Sequence, residues 1–145
     1  MQGVDPATVV GRFIDECWNR GRVDLVDELV SVEFIDHLPF DERMPEGIDG
    51  LKALIELCRL GFSDLRLHVE DMVAEDDRVV ARFVATGTHD GPFMGALPAY
   101  RRLSVEAIAI YRVEHHQIID QWCAFDTARI FRQLGIDAPV VAASS

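Results

Sequence analysis

Lysine is nearly absent from this chain: Lys52 stands alone among 145 residues. Only 14 basic side chains face 25 acidic ones, for a net charge of −11, and the arginines are scattered apart from Arg101-Arg102. Gripping a phosphate backbone requires clustered Lys and Arg, so nucleic acid is excluded as a partner and anionic membrane surfaces are disfavoured. The acidity reads as a device of solubility. No apolar run approaches the length of about 18 residues that marks a membrane span. No basic stretch precedes an apolar core near Met1, so no secretory leader is expected and a cytoplasmic location is. Cys17, Cys58 and Cys123 are odd in number, far apart and outside any Cys-x-x-Cys pair. That argues against a disulfide framework or a zinc site and suits reduced thiols. Repeats, low-complexity stretches and linkers are also missing. What remains is an ordinary globular composition, 49% hydrophobic and 27% charged. A chain of this length buries roughly 68–70% of its unfolded surface, and one domain over 1–145 is expected.

The pattern begins with a helix. Asp5-Pro6 is a capping acid followed by proline at the first helical position. Val10, Phe13, Ile14, Cys17 and Trp18 then recur at the spacing of one helical face, and Asn19-Arg20-Gly21 ends the run. Leu25, Val26, Leu29 and Val30 mark a second, short helix. Phe34 to Leu38 reads as a short strand stopped by Pro39. Phe40 to Gly50 is a loop, and a third helix follows with Leu51, Leu54, Ile55 and Cys58 inward, ending near Gly61. The period then changes to two: Leu65, Leu67, Val69, Asp71 and Val73 alternate with Arg66, His68, Glu70 and Met72. Asp76-Asp77 turns the chain into a partner strand from Arg78 to Thr88. A Gly/Pro loop over Gly91 to Tyr100 precedes a last hairpin, about Leu103–Val113 and Gln117–Asp126, folded at His115-His116. A short helix with Ile130, Phe131 and Leu134 ends at Gly135, and the tail from Val140 to Ser145 is expected to fray. Helices segregated from an antiparallel meander predict an α+β domain.

Particular segments carry a resemblance. Trp18-Asn19-Arg20-Gly21, Phe34-Ile35-Asp36-His37, Gly50-Leu51-Lys52-Ala53, Asp64-Leu65-Arg66, Gly91-Pro92-Phe93-Met94-Gly95, Tyr111-Arg112-Val113 and Arg132-Gln133-Leu134-Gly135 resemble signatures of the SnoaL-like polyketide cyclases. The match covers nearly the whole chain. It implies the NTF2-like cone, a curved antiparallel sheet wrapped around three N-terminal helices and enclosing a blind pocket. It further implies cofactor-free ring closure on a polyketide, in antibiotic biosynthesis, by a back-to-back homodimer. The fold alone does not fix the reaction, since it also hosts isomerases, dehydratases, hydrolases and pure binders. Where the family usually carries an acid/base aspartate this chain has Cys123, and where it often carries a histidine this chain has Ala109.

Alternation assigns the faces. With Cys123 inward, Gln121 and Phe125 share its side while Trp122, Ala124 and Asp126 oppose it. Ala107, Ala109 and Tyr111 face inward on the preceding strand, as do Val79, Ala81, Phe83 and Ala85 on the one before. Ile108, Ile110 and Trp122 are left outside as an apolar patch fit for a second copy, unless the C-terminal segment covers them.

Asp36 is the candidate general acid or base. An apolar cone would raise its pKa, and the resemblance extends to polyether-pathway cyclases with an aspartate there. The alternative is a carboxylate bonded to backbone at a strand end. His37, its neighbour, points away and reads as a structural histidine bonded to a loop, not as half of a dyad. Cys123 reads as apolar wall, because no cation in the sequence activates its thiol. Trp18, Phe83, Met94, Leu97, Tyr100, Tyr111 and Phe125 compose an expected lining, with Tyr100 and Gln121 able to bond a substrate carbonyl. His89, His115 and His116 are placed in turns, and no metal site is expected from them. A carbanion aldol closure needs a strong, well-placed base, and the missing aspartate at 123 with alanine at 109 weakens that option, so two other mechanisms stand. In the favoured one the cavity folds a polyene for a [4+2]-type closure. In the other Asp36 drives an oxa-type closure or epoxide opening, as in an epoxide hydrolase. Outside catalysis, a binder of a hydrophobic metabolite is the competing class. The loop near Gly95 to Ser104 has the Gly and Pro content of a lid.

Overall fold

The computed structural model describes residues 5–136. Helix α1 (Pro6–Arg12) starts where the Asp5 carboxylate accepts from the Thr8 amide at 2.9 Å. That bond satisfies one of the donors a helix start leaves without a partner. The helix runs on as a wider π turn over Phe13–Asn19. Val10, Phe13, Ile14 and Cys17 are buried, as their spacing predicts, and Trp18 is half-buried. Asn19 joins this helix to the sheet through the Leu67 backbone, accepting from its N–H at 2.7 Å and donating to its carbonyl at 3.0 Å.

A 3-10 turn (Val23–Leu25) leads into α2 (Val26–Leu29). Val30, expected in that helix, instead opens β1 (Val30–Asp36), two residues short of the predicted strand end at Leu38. Val30 is fully buried and pairs with Ile118, a β-branched contact that a sheet accommodates better than a helix. Helix α3 (Gly47–Gly61) buries Leu51 and Ile55 and carries Leu54 and Cys58 on its inner side.

The five strands lie in the order β1-β5-β4-β3-β2. Strands β2 (Arg66–Glu75), β3 (Arg78–Thr88), β4 (Arg102–Glu114) and β5 (Gln117–Phe125) form the expected antiparallel meander. Strand β1, however, pairs with β5 in parallel, so the sheet is mixed at that edge. Asp76 and both His115 and His116 take positive φ in the two tight turns. The register of β2 slips between Val69 and Asp71. This bulge breaks the expected alternation and exchanges the faces beyond it: Asp71 and Val73 lie outside, and Met72 turns in. Asp71 there meets Arg82 at 2.6 Å.

Helix α4 (Thr127–Leu134) is capped by Asp126, which accepts from the Arg129 amide at 3.0 Å, and stops at Gly135 with φ +68°. Gln133 pins it to β4 by exchanging two 2.8 Å bonds with the Ser104 backbone. The architecture is α+β, and among the described residues no helix is long and apolar enough to cross a membrane. The expected fraying of Val140 to Ser145 concerns residues outside the described ones.

Asn19→Ala removes both bonds to Leu67 and leaves a half-buried strand amide unpaired. It should cost roughly 1–3 kcal/mol in a urea unfolding titration, and no change in midpoint would show the tie to be dispensable.

Candidate functional site

A hollow of about 130 Å³ lies between the helices and the inner sheet face. The strands supply its floor: Phe83 and Ala85 from β3, Ala107 and Tyr111 from β4, Gln121, Cys123 and Phe125 from β5. Trp18, Leu54 and Cys58 wall it from the helices, and Ile130 reaches in from α4. Leu38 and Phe40, on the segment after β1, stand on its exposed side. The surface is overwhelmingly carbon, and a space of this size takes roughly one aromatic ring.

Asp36 closes β1 and, among the described residues, is the one carboxylate that borders the hollow. Burial raises its pKa above the ordinary carboxylate value, while the Leu38 amide at 3.1 Å, the neighbouring His37 and the Gln121 amide pull it back in part. Gln121 is its partner in the β1–β5 register. Burial, reinforced by the Asp36 charge, pushes the Cys123 thiol up to about 12. Burial raises Cys58 to about 12 as well. Neither sulfur is a thiolate nucleophile near neutral pH. Tyr111, buried, has its pKa raised well above the usual phenol value by desolvation first and by Cys123 and Asp36 second. It remains a hydrogen-bond donor across the working range. Asp36, Tyr111, Gln121 and Cys123 thus form one polar spot on an apolar wall.

Of the residues expected to line the site, Trp18, Phe83, Tyr111, Gln121, Cys123 and Phe125 do so together with Asp36. Four do not. Leu97 is 84% exposed and Tyr100 71% exposed, because the 91–100 loop reverses through positive φ at Met94, Gly95 and Tyr100. Met94 packs against the core without bordering the hollow. Ala109 faces inward and is fully buried, but its methyl lies flush with the strand, and its register partner Cys123 reaches the open space instead. In that loop's place Phe93 points in, held by reciprocal backbone bonds with Ala96 at 3.1 and 2.9 Å. Phe40, Phe62, Leu65, Leu67, Leu103 and Val105 are further lining residues that spacing did not single out.

His37 leaves the strand end on the opposite side from the hollow. It bonds Asp120 of β5 at 2.7 Å, not a loop, and stacks on Trp122 with ring centres 4.4 Å apart. Burial would raise the Asp120 pKa, but His37 and Arg112, the latter at 2.8 Å, together hold it below the ordinary value. His115 and His116 occupy the β4–β5 turn. His89, also expected in a turn, is instead fully buried at the end of β3. Its ring lies against Phe62 at 5.5 Å, its Nδ1 accepts from the Ala99 amide at 3.4 Å, and its Nε2 has no partner among the described residues. Main-chain bonds to Tyr100 and Arg101 draw it in, because they zip the loop's two ends together. Among the described residues no three His, Cys, Asp or Glu side chains gather as a metal set.

A family profile, SnoaL-like polyketide cyclase, matches residues 8–134. The nogalonic acid methyl ester cyclase of Streptomyces nogalater is 29% identical over 119 residues, covering 81% of this chain and 89% of its own. The aklanonic acid methyl ester cyclase of Streptomyces peucetius is 29% identical over 128 residues, covering 86% and 87%. Among solved structures, TsrD from Streptomyces laurentii superposes with a TM-score of 0.80 at 29% identity over 92% of this chain and 98% of its own. IdmH from Streptomyces antibioticus gives 0.78 at 28% identity over 92% and 100%.

The raised Asp36 pKa has a measurable sign. The folded carboxyl holds its proton more tightly than the unfolded one, so Asp36 costs stability as pH rises above about 3.9, through the folded value. Asp36→Asn escapes that loss. Its urea midpoint should gain on the wild type as pH rises above about 4, and a pH-independent difference would contradict a buried carboxyl.

Proposed function

This chain belongs to the SnoaL-like polyketide cyclase family, and we propose that it closes a ring on a polyketide seated in the apolar hollow, with Asp36 moving the proton. One observation carries the reading: the one carboxylate that borders the hollow among the described residues is raised in pKa by burial and shares its wall with a phenol and an amide. As carboxylate, Asp36 takes a proton from a carbon flanked by two carbonyls. The resulting enolate carbon attacks a third carbonyl, and the protonated Asp36 returns its proton to the new alkoxide. Tyr111 and Gln121 donate to the oxygen that gains charge. Two relatives are named as cyclases of acid methyl esters, which supports ring closure on an uncharged substrate. The resemblance puts an acid/base aspartate at position 123; here Asp36 serves the same hollow from the end of β1. The same carboxyl would serve an oxa-type closure or epoxide opening if the substrate carried that electrophile.

A second reading rests on the floor itself. Ala109 and the protonated Cys123 offer β4 and β5 no proton-transfer group, and alignment of a folded chain alone can contribute roughly 7–11 kcal/mol to a closure. Asp36→Asn separates the two: it should lower kcat by about 10²–10⁴-fold with substrate affinity kept if the carboxyl moves the proton. Undiminished turnover would leave closure by folding. Tight binding by the wild type with no product would reduce the hollow to a carrier site.

We propose further that the protein acts in the cytoplasm as a homodimer through the outer sheet face. Ile108, Val80 and Val73 are 47%, 37% and 65% exposed there, beside Ile110 and Trp122. Apolar residues in one contiguous outward patch suit a self-complementary interface. Trp122 itself stacks on His37 and has the Arg78 guanidinium over its ring, 5.6 Å from the ring centre. Ile108→Asp should halve the mass seen by light scattering without unfolding the chain. A monomeric wild type would refute the interface.

A further inference from the structure

A second cavity of about 490 Å³ adjoins the hollow. It runs between β1, the 37–46 segment and the start of α3, and it shares three wall residues with the hollow: Asp36, Phe40 and Leu54. Phe40 is the movable one of the three. Asp36 closes a paired strand and Leu54 sits mid-helix, whereas Phe40 lies on a stretch that, past His37, is bonded only locally, Met44 to Asp41 at 3.0 Å and Arg43 to Asp41 at 2.8 Å. Its ring is what fastens that segment inward, stacked on Phe125 at 5.7 Å and leaning on Phe93 at 6.3 Å. The hollow alone is too small for a polycyclic substrate, since ligand sites run to about 300–1,000 Å³. The chamber alone is large enough, but it lacks the phenol, the amide and the apolar floor.

We infer that the two spaces are halves of one ligand site divided by the Phe40 ring, the hollow taking the ring under construction and the chamber the rest of an elongated, uncharged molecule. The inference rests on the hollow being the site of ring closure. Swinging Phe40 off Phe125 joins the halves with Asp36 at their junction, so the carboxyl faces the reacting end while the remainder of the substrate lies toward α3. Chamber chemistry then selects the tail. Asp41, Glu42 and Glu46 border it and, among the described residues, no Lys or Arg does, since Arg43 is 82% exposed and paired with Asp41. A carboxylate tail is repelled, whereas a hydroxyl finds acceptors. Phe40 is therefore a specificity-determining residue: it sets how long a molecule must be to displace it.

NMR titration of the full chain with two unreactive probes tests this. Benzyl alcohol, one ring long, should perturb amides at 121–125 only; 2-(hydroxymethyl)anthraquinone should perturb those and also 41–47. Met44→Trp, which fills the chamber and touches nothing in the hollow, should weaken the anthraquinone about ten-fold and leave benzyl alcohol unaltered. Phe40→Ala should loosen benzyl alcohol and spare the anthraquinone. Anthraquinone-2-carboxylate should bind about five-fold more weakly than the alcohol at low salt, a gap that the Glu42→Gln, Glu46→Gln double variant narrows. Anthraquinone shifts confined to the hollow, or affinity indifferent to Met44→Trp, would overturn the divided site and leave the proposed reaction standing. Failure of both probes to perturb the hollow would overturn both.

Discussion

Small side chains on the inner face of the sheet keep this interior from closing. Ala81 stands opposite Ala109, Ala107 stands between Phe83 and Phe125, and Ala85 continues the row toward the loop. Protein interiors otherwise pack to crystal-like density, and larger residues at these positions would fill the space that Trp18, Leu54 and Cys58 leave. The helices cannot settle deeper, because each is tied at the level it occupies: Asn19 to the Leu67 backbone, Gln133 to Ser104, and Arg59 to the Trp18 carbonyl at 2.7 Å. The hollow is therefore a consequence of short side chains inside a frame fixed at its rim.

A dry wall has electrostatic consequences that all run the same way. Desolvation disfavours charge, so both thiols and the phenol keep their protons, and Asp36 gives its own up later than an exposed carboxyl would. Asp36 escapes full suppression because the Leu38 amide and Gln121 stabilise its anion. Opposed effects thus meet on this one carboxyl, burial raising its pKa and the two hydrogen bonds lowering it. The sulfur at 123, whose ionisation the Asp36 charge opposes further, contributes shape and polarisability.

Strand periodicity made half of this legible from the sequence. Once one residue of β5 is assigned inward, Gln121, Cys123 and Phe125 follow, and the paired strands bring Tyr111, Ala107 and Phe83 with them. Alternation fails where the chain departs from it. The slip at Glu70 leaves no mark in residue types, so an unbroken alternation over 65–73 keeps Val73 in step with Leu65 and Leu67 although the bulge separates them. The 91–100 loop has no period at all, and its apolar residues gave no means of telling inward Phe93 from outward Leu97 and Tyr100. Phe40 follows Pro39 in a stretch read only as loop, and its place against Phe125 depends on contacts 85 positions apart along the chain. The parallel β1–β5 edge was hidden for the same reason: only tertiary pairing distinguishes it.

That edge is what aims Asp36. A strand of seven residues at the margin of a sheet would fray at its last position, and a frayed carboxyl could not hold a proton donor's geometry. The next residue prevents it from behind. The His37 amide donates to the Gln121 carbonyl at 2.8 Å, carrying the pairing one step past the strand, and its ring is clamped between Trp122 and the Asp120–Arg112 pair. Because adjacent side chains on a strand point to opposite faces, locking His37 against the outer surface commits Asp36 to the inner one. The histidine lies outside the hollow, yet the direction of the carboxyl depends on it. The outer face of the sheet and the chemistry of the hollow are joined through one peptide bond.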